Sequence, residues 1–211
     1  MADPIQFGTS GWRGLIARDF TFDRVRIATQ GIADYLKNSE RSTVIIGHDA
    51  RFLGRDFALA AAEVLAANNL TPLLCDRDTP TPVISHAIRG RKAAAGINLT
   101  ASHNPAEWQG LKFSLANGAP ATMEATRAVE KNIARRQKEK WTFDGNVIGT
   151  FECKEIDPRP AYFRRLRQLV DFDAIKKAKM KIAVELMYGA GRGYLDTLIE
   201  EAGVKVTRFH E

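Results

Sequence analysis

Cysteine is scarce in this sequence: Cys75 and Cys153 are the only two in 211 residues. Two thiols cannot build a disulfide scaffold, and they are read as reduced cysteines of a cytoplasmic protein. No apolar run reaches the ~18 residues that a membrane-spanning helix requires. The best candidates, Val44–Gly47 and Ala93–Leu99, are strand-sized. The opening Met1-Ala2-Asp3-Pro4 lacks the basic stretch and apolar core of a secretory signal. The four histidines, His48, His86, His103 and His210, show no metal-ligand spacing. Asp76-Arg77-Asp78 offers two carboxylates, a poor metal site alone, and reads as a solvated turn. The dinucleotide, Walker and Gly-x-Ser-x-Gly signatures are missing too, so no hydrolase triad is supported.

What is present is ordinary for a globular chain: 45% hydrophobic and 27% charged residues. The net charge of +6 is spread out, with 13 basic and 11 acidic residues up to position 121. A mild, distributed excess suits an anionic small-molecule partner as well as a nucleic acid, so nucleic-acid binding, suggested by a pI of about 9.4, is a distant third reading. Helical spacing of apolar residues marks 22–37, 56–68, 81–89, 122–140 and 162–170. Short apolar or β-branched runs at 43–47, 70–75, 93–99 and 111–115 read as strands. This alternation predicts a three-layer α/β/α domain with a mostly parallel mixed sheet. A further β-α-β unit follows at 181–186, 193–202 and 204–209. It is too small to cover both faces of its own sheet, so it reads as the start of a second, similar α/β domain. The expected division is a domain over 1–140, a connecting segment over 141–170 and an incomplete domain over 171–211.

Four segments carry chemistry-bearing residues. Thr100-Ala101-Ser102-His103-Asn104-Pro105 follows an apolar strand, and ligands of α/β folds bind beyond the carboxyl ends of strands. Ser102 is either a nucleophile needing a base or an electropositive pocket, or part of a turn capping its own backbone. Phe7–Gly14 (FGTSGWRG) has three glycines for close backbone approach, hydroxyls on Thr9 and Ser10, and Arg13, which can grip a phosphate bidentately. It reads equally as a glycine-rich turn before a strand. Lys112, in Gly110-Leu111-Lys112-Phe113, could pair with a phosphoserine or shuttle a proton if its pKa falls, or could point to water from a strand edge. In Gly47-His48-Asp49-Ala50-Arg51, Asp49 and Arg51 read as an ion pair holding the loop. The basic stretches 131–140 and 176–181 read as solvated faces.

Taken together, FGTSGWRG, GHDAR (47–51), TPTP (79–82), TASHNP (100–105) and GLKF (110–113) resemble, in order and interval, the N-terminal part of the α-D-phosphohexomutases, the bacterial phosphoglucomutase/phosphomannomutase group. The stretch around Met187-Tyr188-Gly189-Ala190-Gly191 looks like the opening of that family's second domain. The resemblance implies a phosphorylated serine at Ser102 that exchanges its phosphoryl group with hexose phosphates through a hexose 1,6-bisphosphate. His103 and Lys112 then match residues beside the phosphoserine, with Lys112 the proton acceptor or donor for the sugar hydroxyl. Arg13 matches a phosphoryl-contacting arginine, and Thr9 and Ser10 join it in phosphate binding. Mg2+ is implied, reaching Ser102 through its phosphate.

The family's Asp-rich Gly-Asp-Gly-Asp metal loop does not occur in this sequence. The remaining metal ligands are therefore expected beyond residue 211, and the chain reads as an N-terminal piece of a mutase, inactive alone. The alternatives are a phosphoglucosamine mutase and a non-catalytic module that binds sugar phosphates or a protein partner.

Overall fold

The computed structural model describes residues 4–8, 11–144 and 151–211. Helices and strands alternate from the start. Trp12–Leu15 forms β1, Phe22–Leu36 α1, Thr43–His48 β2, Gly54–Ala67 α2 and Thr71–Cys75 β3. Then come Thr81–Gly90 (α3), Ala95–Leu99 (β4), Trp108–Leu115 (β5) and Met123–Lys138 (α4). Beyond them lie Lys154–Ile156 (β6), Arg159–Leu169 (α5), Phe172–Lys177 (α6), Lys181–Glu185 (β7), Leu195–Glu201 (α7) and Lys205–Phe209 (β8).

Local chemistry accounts for the helix starts. Thr21 and Thr122 cap α1 and α4, their hydroxyls accepting from the backbone N–H groups of Arg24 and Ala125 at 3.3 Å each. Asp23 and Glu124 follow in the first turns, and α4 ends in Arg135, Arg136 and Lys138, charges that oppose the helix dipole at both ends. Pro80 and Pro82 open α3, where a missing N–H costs nothing.

The first six strands make one sheet in the order β1-β5-β4-β2-β3-β6. β2 pairs in parallel with β3 and β4, and β3 with β6, while β5 runs antiparallel to both β4 and β1. The sheet is mixed and mostly parallel, as expected. One face buries Val44, Ile46, Leu74 and Ile97 under α1, α2 and α4, with Phe20 and Phe57 fully enclosed. The opposite face buries Ile45, Leu73 and Cys75 under Ile84 and Ile88 of α3. Ile84 lies on the bare Cα of Gly47, and Ile88 on that of Gly96, so the helix sits close to the sheet. A third cluster joins Val83 of α3 to Phe163, Tyr194 and Leu198. β7 and β8 pair in parallel as a separate two-stranded sheet joined through α7.

Three elements were not anticipated from periodicity. β1 contains a glycine and an arginine in four residues, and it is a strand because β5 lends it a partner. β6 is three residues long and lies within the segment read as connecting. α6 has six residues, started by Asp171, whose carboxylate accepts from Ala174 N–H at 2.9 Å. Two charge readings also change. The basic end of α4 is not simply solvated, because Arg135 and Arg136 both close on Asp34 of α1, at 2.8 and 2.6 Å. Asp78 is not simply solvated either, since it pairs with Arg192 at 3.2 Å. No helix among the described residues is long and apolar enough to cross a membrane.

Candidate functional site

β2 and β4 are parallel neighbours, so their carboxyl ends open on the same edge of the sheet. The loops that follow them, beginning at Asp49 and Thr100, meet there; Asp49 N–H donates to Leu99 O at 3.0 Å and prolongs the ladder. The loop after β3 arrives beside them, with Thr79 N–H donating to His48 O at 2.8 Å. Together with Met187–Ala190, which follow β7, these loops line an open cavity of about 790 Å³. Ser102 is exposed on its wall.

Ser102 sits in the left-handed region at φ 58°, unusual for a residue with a side chain. Its N–H donates to Thr100 Oγ1 at 3.0 Å, and Asn104 N–H closes a turn on Ala101 O at 3.1 Å. Ser102 Oγ lies 3.4 Å from His103 Nδ1, so these neighbours do face each other. The segment is a self-capped turn that presents the Ser102 hydroxyl to the cavity.

Arg51 grips this turn. One terminal nitrogen donates to the carbonyls of Pro105 (2.8 Å) and Trp108 (3.1 Å). The other donates to Ser102 O (3.0 Å) and Asn104 O (2.5 Å). Its Nε faces Asp49 Oδ2 at 3.3 Å, the ion pair expected from the sequence. The grip on four loop carbonyls was not foreseen, because their distance from Arg51 depends on β2 lying beside β4.

Arg13, Gly110 and Lys112 come together by strand register. Arg13 stands opposite Gly110 across β1 and β5, and Lys112, two residues on, stands opposite Asn98 of β4. Directly paired residues and those two apart share a sheet face, so Arg13, Lys112 and Asn98 project from one side. Arg13 also reaches the serine loop, donating to Asn104 Oδ1 at 2.5 Å. Lys112 is not a strand-edge lysine in water. Burial lowers its pKa and nearby Arg13 lowers it further, while Asp49 pulls the other way. Its stem packs on Gly11, where a Cβ would meet Leu111 O at 2.5 Å and Lys112 Cγ at 3.0 Å. Lys112 lines a smaller cavity of about 100 Å³, and Thr81 borders both this cavity and that of Ser102. Thr9 and Ser10 lie outside the described residues.

Asn98 was missed by sequence reasoning. It is buried, lines the Ser102 cavity, and donates through Nδ2 to Thr81 Oγ1 at 3.0 Å. A polar residue inside the apolar run 93–99 was the available signal. Among the described residues no group of three or more His, Cys, Asp or Glu side chains converges as a metal site. By themselves these residues do not make a resident Mg2+ site.

Residues 4–140 match the family model described as phosphoglucomutase/phosphomannomutase, alpha/beta/alpha domain I. A phosphoglucomutase of Komagataeibacter xylinus is 33% identical over 96% of this chain and 39% of its own length. A protein named as a phosphoglucosamine mutase, from Methanosphaera stadtmanae, is 29% identical over 96% of this chain and 43% of its own. The crystal structure of a protein assigned as a phosphomannomutase, from Thermus thermophilus, superposes with a TM-score of 0.88 at 34% identity, covering 99% of this chain and 46% of that one. The chain thus spans less than half the length of these relatives. By the match of its sequence over 4–140 and of its fold throughout, it belongs to the phosphoglucomutase/phosphomannomutase family.

Proposed function

We propose that this chain carries the phosphoserine of a phosphohexomutase that interconverts hexose 1-phosphate and hexose 6-phosphate. The observation that supports this best is the exposed Ser102 in a strained turn on a broad cavity, with Arg13 joined to the same loop through Asn104 and a partly desolvated Lys112 in a second cavity that shares Thr81 with the first. Phosphoryl transfer asks for positioning and charge stabilisation more than for covalent machinery.

The step balances with groups of this chain. A sugar hydroxyl attacks the phosphorus of phosphorylated Ser102, and its proton passes to the neutral amine of Lys112. The new O–P bond forms as the Oγ–P bond breaks, leaving a hexose 1,6-bisphosphate. The departing Oγ takes a proton from the imidazolium of His103, whose Nδ1 lies beside it, so one proton is gained by Lys112 and one given up by His103. Arg13 offsets charge on the transferring oxygens. Reversal of these steps from the turned-over bisphosphate returns the other phosphate to Ser102.

The test uses the intact protein with glucose 1,6-bisphosphate and glucose 1-phosphate. Mass spectrometry should find one phosphoryl group on the peptide holding Ser102, and Ser102→Ala should abolish turnover. Undiminished turnover in Ser102→Ala would overturn the reading. Sugar-phosphate binding that survives Ser102→Ala, with no turnover in the parent protein, would favour a binding module instead. The 211-residue chain alone is expected to turn over no appreciable glucose 1-phosphate. The similarity to the protein named as a phosphoglucosamine mutase keeps an amino-sugar substrate as the second reading. Competition between glucose 1-phosphate and glucosamine 1-phosphate decides between them.

A further inference from the structure

A guanidinium has five N–H donors and no acceptor. At Arg51 the two terminal nitrogens donate to the carbonyls of Ser102, Asn104, Pro105 and Trp108, and Nε lies 3.3 Å from the Asp49 carboxylate. Its charge is opposed by Asp49, and its side chain is 15% exposed although it borders the Ser102 cavity. An arginine beside a phosphate-accepting serine invites assignment as a phosphate ligand. Its contacts oppose that, because both terminal nitrogens are already engaged by loop carbonyls and Nε faces Asp49.

The acceptors are more informative than their number. All four carbonyls belong to residues 102–108, which leave β4 and return in β5. Within this loop Ser102 holds a left-handed conformation, which is strained for a non-glycine residue and persists only where its surroundings over-determine it. Thr100 Oγ1 and the turn to Asn104 supply local restraint. Arg51 supplies restraint from another strand of the sheet, and Asp49, through Arg51 N–H at 3.0 Å as well as Nε, sets the angle of approach.

We infer that Arg51 is the positioning residue of the Ser102 nucleophile: it holds the left-handed serine turn through four backbone carbonyls, and it does not touch the phosphoryl group. The inference rests on Ser102 being the phosphoryl carrier, as proposed above. Lysine keeps the charge but has three donors on one atom, and it cannot span carbonyls on both sides of a planar fork. Arg51→Lys therefore separates positioning from charge.

The experiment is phosphoryl transfer from radiolabelled glucose 1,6-bisphosphate to the intact protein, as wild type and as Arg51→Lys, with amide exchange of residues 101–106 read in parallel. In Arg51→Lys the transfer rate constant should fall about 10²-fold, the loss that a small misplacement of a reacting group produces. KM should stay within about twofold, since no ground-state contact to phosphate is lost. Exchange should quicken in 101–106 while β2 and β4 keep their protection. A raised KM at unchanged kcat would overturn the inference, because it would place the guanidinium on the phosphate. Wild-type rates and exchange in Arg51→Lys would overturn it as well. Should Arg51→Lys fail to fold, Asp49→Asn keeps the arginine and weakens its anchor; a lowered kcat with faster exchange in 101–106 supports the inference, and no change in either overturns it. Absence of label on wild-type Ser102 would instead defeat the phosphoserine reading itself.

Discussion

Arg13 and Gly110 stand directly opposite each other in the β1–β5 pair, and the arginine stem crosses the bare Cα of the glycine. A Cβ there would lie 3.1 Å from Arg13 Cγ, 2.6 Å from Thr100 O and 2.8 Å from Trp12 O. Two of these three neighbours are backbone, in strands or loops that cannot give way separately. Gly110→Ala is therefore expected to destabilise the protein by about 1–3 kcal/mol, as overpacking of a filled site does. It should also displace Arg13 and depress phosphoryl transfer. Urea denaturation and the transfer assay measure the two effects; an unchanged midpoint would show that β1 moves freely.

Asp34 joins α1 to α4. Burial alone would raise its pKa, but hydrogen bonds from Arg136, Gln30 and Arg135 outweigh that and hold it below the usual aspartate value. A carboxyl depressed on folding adds stability that is present above its unfolded pKa and lost as pH falls through the folded one. Asp34→Asn should cost about 1–3 kcal/mol at neutral pH, tempered because Arg136 is 26% exposed. The difference from wild type should close in acid, below the ordinary carboxylate range. Denaturation midpoints across that range provide the check, and a difference that persists in acid would refute the pairing.

In the proposed transfer, Lys112 must be neutral to accept the sugar's proton. Burial, then Arg13, lowers its pKa from the ordinary lysine value, bringing the neutral form within reach at lower pH. The rate should rise with pH through that lowered pKa and fall below it. Lys112→Met should lose about 10²–10⁴-fold in kcat, the range of general acid–base catalysis. Arginine should not rescue it, since a guanidinium stays charged. A rate profile in which Lys112→Met keeps the wild-type limb would assign the titration to another group.

Cys75 is fully buried on β3, and burial pushes its thiol up to about 12; Cys153, partly buried, is also raised. Thiolate is the reactive form, so both should resist alkylation in the native protein near neutral pH. Labelling should approach two thiols per chain only on unfolding. Rapid native labelling of Cys75 would show that β3 opens locally.

Much of this architecture is legible in residue order. The apolar runs at 43–47 and 70–75 became β2 and β3, and the amphipathic stretches at 22–37 and 122–140 became α1 and α4. Each was readable because side-chain periodicity is a local property. β1 and β6 were not legible: four and three residues carry too little pattern, and both exist through partners far along the chain.

By itself the sequence determined the alternation of strands and helices, the placing of Ser102 just past an apolar strand, and the family whose motifs it shares. Only the tertiary structure decided what stands around that serine. Arg51 reaches carbonyls 51 to 57 residues away because β2 and β4 are neighbours in the sheet. Arg13 faces Gly110 because β1 closes the sheet against β5 rather than against its successor in sequence. Asp78 meets Arg192, and Thr79 meets Tyr194 Oη at 3.5 Å, because the segment after β7 docks on the loop after β3. Periodicity along a chain encodes which face of an element is apolar; strand order and register, set by packing of the whole, decide which polar groups meet.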